Sequence, residues 1–204
     1  MKTKRISQTL LASAVLLALA APAQAAPIQW TSAFGGNDHW YDFVAVQSVT
    51  WNASRAAALA STHLGMNGYL ATITSAGEQS FLTTNFGSSG LAWVGGSDAA
   101  VEADWKWMDG PEAGVTFWLS GVTQTYAAWN GGEPNDYYGE EYLIFNWAGA
   151  GGWNDYAPGN SDCCGNGYIV EYATGSQNGV PEPASLALLG IGLAGLAAMR
   201  RRKA

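Results

Sequence analysis

The chain has 204 residues with 16 Asp and Glu against nine Lys and Arg, and seven of those nine bases lie within the first five and last five positions. Only Arg55 and Lys106 remain between them, so the body of the chain is strongly acidic, which excludes nucleic acid and anionic lipid as partners and favours bound cations. Ten Trp, nine Tyr and 26 Gly point to short strands and long loops rather than to a helix bundle.

Lys2, Lys4 and Arg5, an apolar run from Leu10 to Ala20, and the small-x-small site Ala23-Gln24-Ala25 open the chain. This is the pattern of a secretory signal peptide over residues 1–25, since the run is well short of the ~20 residues that a membrane anchor needs. One domain is expected over residues 26–174, long enough to bury a real core. Phe43 to Val46 reads as its first strand. Trp51 to Leu64 reads as a first helix, with Asn52 and Ser54 as candidate N-caps, an Ala-rich body and an end at Gly65. Gly68 to Ile73 reads as a second strand, and Ser75-Ala76-Gly77-Glu78 as a capping box that opens a second helix to about Phe86. Pro111 to Ala128 reads as a loop, Glu141 to Trp147 as a strand, and Gly167 to Tyr172, with its alternating pattern, as the last strand. His63, near a helix end, reads as a surface or capping residue.

Residues 175–180 form a polar linker. Beyond it, Pro181-Glu182-Pro183 leads into an uncharged run from Leu186 to Met199 and then Arg200 to Lys203, a short membrane span with its basic end held in the cytoplasm. The tail, residues 181–204, resembles the PEP-CTERM sorting signal of Gram-negative bacteria. That resemblance implies processing by an exosortase, transient contact with the inner membrane through a transmembrane helix, and delivery to the cell surface or medium, in the setting of exopolysaccharide and biofilm production. Cys163 and Cys164 are neighbours, so no disulfide framework can be counted. Free thiols, a strained vicinal disulfide and pairing with another chain all fit the sequence.

The central stretch runs from Trp129-Asn130-Gly131-Gly132-Glu133-Pro134-Asn135-Asp136 through Gly139-Glu140-Glu141 to Trp153-Asn154-Asp155. It is rich in carboxylate and amide oxygens and holds no His or Cys, a donor set for calcium and not for zinc. Composition alone also fits a solvated acidic loop. The order of these words resembles the sugar-binding calcium site of C-type lectin domains. Supporting words are Trp51 with Gly68-x-Leu70-Ala71-x-Ile73 and Glu78, then Trp93-Val94-Gly95-Gly96, then Trp105-x-Trp107-x-Asp109-Gly110, so the likeness covers roughly residues 38–173 in order.

The resemblance implies an α+β, C-type lectin-like fold, with two helices, short antiparallel sheets and a long calcium-binding loop region. It implies a calcium ion held by Glu133, Asn135, Glu140, Asn154 and Asp155, with the Asp155 carbonyl as a further oxygen, and sugar hydroxyls bound by Glu133, Asn135, Glu140 and Asn154. It implies a second calcium at Asp98, Glu102, Asp136 and Glu140, although plain solubilising carboxylates would look the same. Glu-Pro-Asn resembles the version that selects mannose, glucose or GlcNAc-type hydroxyls, with Pro134 in the cis form. The chain departs from the animal pattern in lacking its two disulfides: Tyr142 and Val170 stand at such positions, and a larger aromatic core is expected to compensate.

The expectation is therefore a secreted carbohydrate-binding protein, not an enzyme, displayed multivalently or as a homo-oligomer. The alternative is a structural or protein-binding matrix component on the same fold, with calcium ordering its loops. No catalytic residues are expected, because Glu140 and Glu141, the nearest thing to a glycosidase pair, are adjacent and cannot flank one bond.

Overall fold

The computed structural model describes residues 25–157 and 165–174. Residues 1–24 of the expected signal peptide, Cys163, Cys164, the expected linker and the tail lie outside them. The strands and helices run β1 (Ile28–Gln29), β2 (Trp40–Ala45), α1 (Trp51–Ala60), β3 (Thr62–His63), β4 (Met66–Leu70), α2 (Ala76–Phe86), β5 (Ala92–Ser97), β6 (Asp104–Trp107), β7 (Thr116–Leu119), β8 (Val122–Thr123), β9 (Tyr142–Phe145), β10 (Trp153–Tyr156) and β11 (Gly167–Tyr172).

The last strand is the organising one. β11 is buried along its whole length and pairs antiparallel with β2 and β4 and parallel with β5. From β5 the sheet continues in one direction to β6, β7 and β8, and in another to β9 and β10. Two apolar clusters pack on it. One holds Trp105, Trp107, Phe117, Phe145 and Trp153 with α2; the other holds Trp51, Trp93, Tyr142, Tyr168 and Val170 with α1. The two positions that lack cysteines are core positions: Tyr142 stacks on Trp51 with centroids 4.6 Å apart, and Val170 is fully buried.

Local signals misplace some boundaries. α1 is capped by Thr50, which accepts from Ala53 N at 3.3 Å, and not by Asn52 or Ser54, which lie inside the helix. It stops at Ala60, because Leu64 and Gly65 take φ of 50° and 79° to turn β3 back onto β4. Two consecutive residues at positive φ match the twist of a tight hairpin, which a helix cannot accommodate. His63 is accordingly no surface cap, but packs half-buried between Trp40 and Tyr172, with ring centroids 4.7 and 5.5 Å away. The predicted loop from Pro111 to Ala128 contains the β7–β8 hairpin, whose outward residues Leu119 and Val122 are exposed.

At α2, Ser75 caps the helix by accepting from Glu78 N at 3.1 Å. Glu78 does not complete the box. Its carboxylate takes Thr74 N at 2.7 Å and the Tyr41 hydroxyl, which ties α2 to β2 in the interior beside Glu171. Arg55 reaches from α1 to Asp109 with two hydrogen bonds of 2.6 and 2.7 Å, anchoring the turn after β6.

The following Gly110 has φ of 77°, and a Cβ there would stand 2.4 Å from the Tyr69 ring. Replacing it with Ala combines left-handed strain with overpacking, so Gly110→Ala is expected to cost about 2–4 kcal/mol in denaturant unfolding. An unchanged midpoint would show that the turn relaxes freely.

Candidate functional site

The long segment between β8 and β9 is fastened to the core before any acidic group is placed. Trp153, fully buried on β10, donates its backbone N–H to Ala128 O at 2.9 Å and accepts from Asn130 N at 3.0 Å. Its indole nitrogen donates to Gln79 on α2 at 2.8 Å. Trp129 packs edge-on against Trp105 and Trp153, at 4.9 and 5.8 Å between centroids. The Asn130 side chain reaches Trp147 O at 3.0 Å. The Glu133–Pro134 bond that follows is cis.

The residues after Trp153 on β10 are Asn154 and Asp155. Asp155 Oδ2 accepts the backbone N–H groups of Asn135 at 2.9 Å and Asp136 at 2.7 Å, so the strand holds the loop by one carboxylate oxygen. Its other oxygen, Oδ1, is buried with no hydrogen-bond partner. The Asn154 amide nitrogen donates to Asp155 O, which turns its Oδ1 the other way; that oxygen too is buried and unpaired. Asn135 donates its amide to Glu133 Oε2, and Glu140 N donates to Asp136 Oδ1 at 3.0 Å.

Glu133, Asn135, Glu140 and Asn154 line one groove of about 350 Å³. The aromatic rim of this groove is the part the sequence reading missed: Tyr137, Tyr138, Trp147 and Tyr156 stand around it, the first two 65% and 86% exposed. Their only advance signal was the Tyr137-Tyr138 pair inside the acidic word. A second groove of similar size lies against the same loop and is lined by Glu102, Asp136, Asp155 and Glu133. Of the four residues expected around a second cation, the structure brings Glu102 and Asp136 together there. Asp98, whose Oδ2 holds Ala103 N at 3.0 Å and whose buried Oδ1 has no hydrogen-bond partner, and Glu140, which lines the first groove and whose N–H donates to Asp136 Oδ1, stand beside these two without lining the second groove.

The acids crowd one another. Burial pushes the Glu140 carboxyl up to about 7, and the Asp155 charge adds to it. Burial also raises Asp155, against the pull of the backbone N–H groups it accepts, and raises Glu133, with Asp155 adding. Among the described residues no group of three or more His, Cys, Asp or Glu side chains is placed to hold a metal ion on its own. A cation here would need the amide oxygens as well. The orphaned Oδ1 atoms of Asn154 and Asp155, beside raised carboxylates, fit that mixed set: buried unpaired oxygens cost about 1–3 kcal/mol each, and a hard cation satisfies them.

Set beside known proteins, a stretch of 137 residues is 42% identical to halomucin of Haloquadratum walsbyi, covering 66% of this chain and 1% of that one. The chain is 35% identical over 129 residues to CD209 antigen-like protein C of Mus musculus, covering 63% and 61%. It thus spans less than two thirds of the length of these relatives. Among solved structures, the EPNH mutant of CEL-I, the C-type lectin of Cucumaria echinata, superposes with a TM-score of 0.54 at 26% identity, covering 67% of this chain and 91% of that one. The molecule is a protein of C-type lectin-like fold. More particularly, it is one that carries a PEP-CTERM protein-sorting motif, matched over residues 179–203.

The raised carboxyls make a prediction for the chain held in chelator. A carboxyl that keeps its proton to higher pH in the fold than in the unfolded chain costs stability once ionised, so stability should fall as pH rises from about 4.5 to about 7. The unfolding temperature is expected to drop over that range, and Glu140→Gln to flatten the drop. A Glu140→Gln profile parallel to that of the parent chain would remove Glu140 as a cause.

Proposed function

We propose that this is an exported glycan-binding protein whose site works with calcium. The observation that carries the reading is the pair of buried, unpaired oxygens on Asn154 and Asp155, beside a groove lined by Glu133, Asn135 and Glu140. These five residues would hold the ion, which when bound supplies a point of positive charge for a pair of neighbouring sugar hydroxyls. The protein's own residues confer the selectivity. Glu133 offers only acceptor oxygens and Asn135 offers donor N–H groups, so the pair reads hydroxyls in an asymmetric way. Mannose, glucose and GlcNAc-type hydroxyl pairs are the proposed ligands, in an exopolysaccharide or on a cell surface. The EPNH mutant of CEL-I shares the letters EPN with Glu133-Pro134-Asn135.

Tyr137 and Tyr138, exposed on the rim, give the apolar face of a ring something to lie on. A second calcium, if bound, would be held among Asp98, Glu102, Asp136 and Glu140, of which Glu102 and Asp136 line the second groove. The domain boundaries proposed are a signal over residues 1–25, the lectin-like domain over 26–174, a linker over 175–180 and a sorting tail over 181–204. Export passes through the inner membrane with an exosortase acting on that tail; among the described residues no helix is long and apolar enough to cross a membrane. An open groove gripping two hydroxyls binds weakly alone, so display in several copies or as homo-oligomers raises avidity.

The purified chain is expected to be retained on immobilised mannose in calcium and released by chelator. Glu133→Gln and Asn135→Ala should each lose at least ~10-fold in retention, about the value of a lost hydrogen bond to a charged group or ion, while remaining folded in chelator. Flow-through in calcium would reject mannose. A calcium-raised unfolding temperature without retention by any sugar column would favour the matrix role, in which the ion orders loops only.

A further inference from the structure

We propose that the chain carries a second glycan-binding site, independent of calcium, on the face formed by the segment after β1 and the outer side of α2. Its ligand is a neutral polysaccharide.

Four observations meet there. A groove of about 390 Å³ is lined by Trp30, Phe34 and Phe81 together with Thr31, Gln29 and Asn85, and none of its lining side chains is charged. On a chain so acidic, a stretch of neutral wall this size is a local exception, and it selects an uncharged ligand over a uronate polymer or a basic peptide. The Thr31 hydroxyl oxygen in this wall is buried without a hydrogen-bond partner. Phe34 is 87% exposed, more than any other aromatic among the described residues.

This exposure is built in and held. Phe34 ends a single 3-10 turn, Ser32–Phe34, closed by Phe34 N and Gly36 N, both donating to Thr31 O at 3.0 Å. Ser32 N donates to Asp38 Oδ1 at 2.7 Å, and Asp38 N to Trp30 O at 2.9 Å. Trp30 in turn stacks on Phe81 at 5.8 Å, with 23° between planes, and packs against Gly77, where a Cβ would stand 3.2 Å from the ring. Trp30, Phe81 and the backbone that carries Phe34 are therefore pre-formed, so a ligand orders only the Phe34 side chain.

A pyranose fits this chemistry on both of its aspects. Its C–H face is slightly positive and lies against the negative face of an aromatic ring. Its hydroxyl edge needs neutral donors and acceptors, supplied by Gln29 and Asn85 with Ser80 and Thr84 on the same wall. Gln29 and Asn85 already direct their amide N–H groups to Asp38 O and Phe81 O at 3.0 and 2.9 Å, which turns their amide oxygens away from those carbonyls. The volume is that of a small-ligand site, not of a protein interface. No residue lines both this groove and either groove at the long loop, so one domain could grip two places on a polymer and cross-link it.

The test is native-gel retardation of the intact chain by soluble mannan and by soluble β-glucan, in chelator throughout. Retardation by at least one polymer is expected, with Trp30→Ala and Phe34→Ala each weakening it at least tenfold and Glu133→Gln leaving it unchanged. Phe34, being almost wholly exposed, keeps the test sound where Trp30→Ala disturbs the fold. The proposal is overturned if neither polymer retards the chain without calcium, if Phe34→Ala is retarded like the parent, or if Phe34→Ala changes sedimentation instead, which would make the face a contact between copies. Loss of calcium-dependent mannose retention, by contrast, bears only on the long-loop site.

Discussion

The fastening of one tryptophan holds the candidate site in place. Trp153 is fully buried against Trp107 and Phe117, yet its backbone carries two of the hydrogen bonds that hold residues 128–130, and its indole N–H reaches α2. Core packing, the start of the long loop and one helix therefore meet in a single side chain and its peptide groups. The next two positions, Asn154 and Asp155, inherit that rigidity, and this is why an open, acidic loop can present oxygens at set positions.

What the loop spends in return is electrostatic. Glu133, Glu140 and Asp155 are each less willing to ionise than free carboxyls, because burial removes water and the neighbours repel. Asp155 offsets part of this by accepting two backbone N–H groups on one oxygen. Its other oxygen, and that of Asn154, are left without a hydrogen bond. Such an arrangement is poorly satisfied by protein groups alone and well suited to a cation, so the local instability and the proposed binding are two aspects of one geometry.

The rest of the surface divides by charge. The long loop gathers acids on both sides, with Glu133 lining both grooves, whereas the face of α2 with Trp30 and Phe34 carries aromatics, amides and hydroxyls only. In the interior, the Glu78 carboxylate takes the Tyr41 hydroxyl and the Glu171 carboxylate takes Thr72 N at 2.9 Å, so polar bonds tie α2 to β2 and the segment after β4 to β11. The aromatic stacks, Tyr142 on Trp51 and Phe117 on Trp107, supply the remaining cohesion.

By itself the sequence determined whatever is local or set by order. The second helix with its Ser75 cap, the last strand, the acidic word with Pro134 and the sorting tail can all be read from residue type and spacing, because capping, alternation and donor chemistry act within a few positions. The first helix was overrun at Leu64 because an Ala-rich pattern does not reveal that two residues will take positive φ; only pairing of β3 with β4 requires it. Tertiary structure alone decided which acids share a groove. Glu102 and Asp136 came to line one groove with Asp155, and Trp147 and Tyr156 came to line the other with Glu133 and Glu140, because these contacts join separate stretches of the chain through the fastening of β10. The same holds for Trp30, Phe34 and Phe81: none is notable in the sequence, and they form a platform only because the segment after β1 folds across α2.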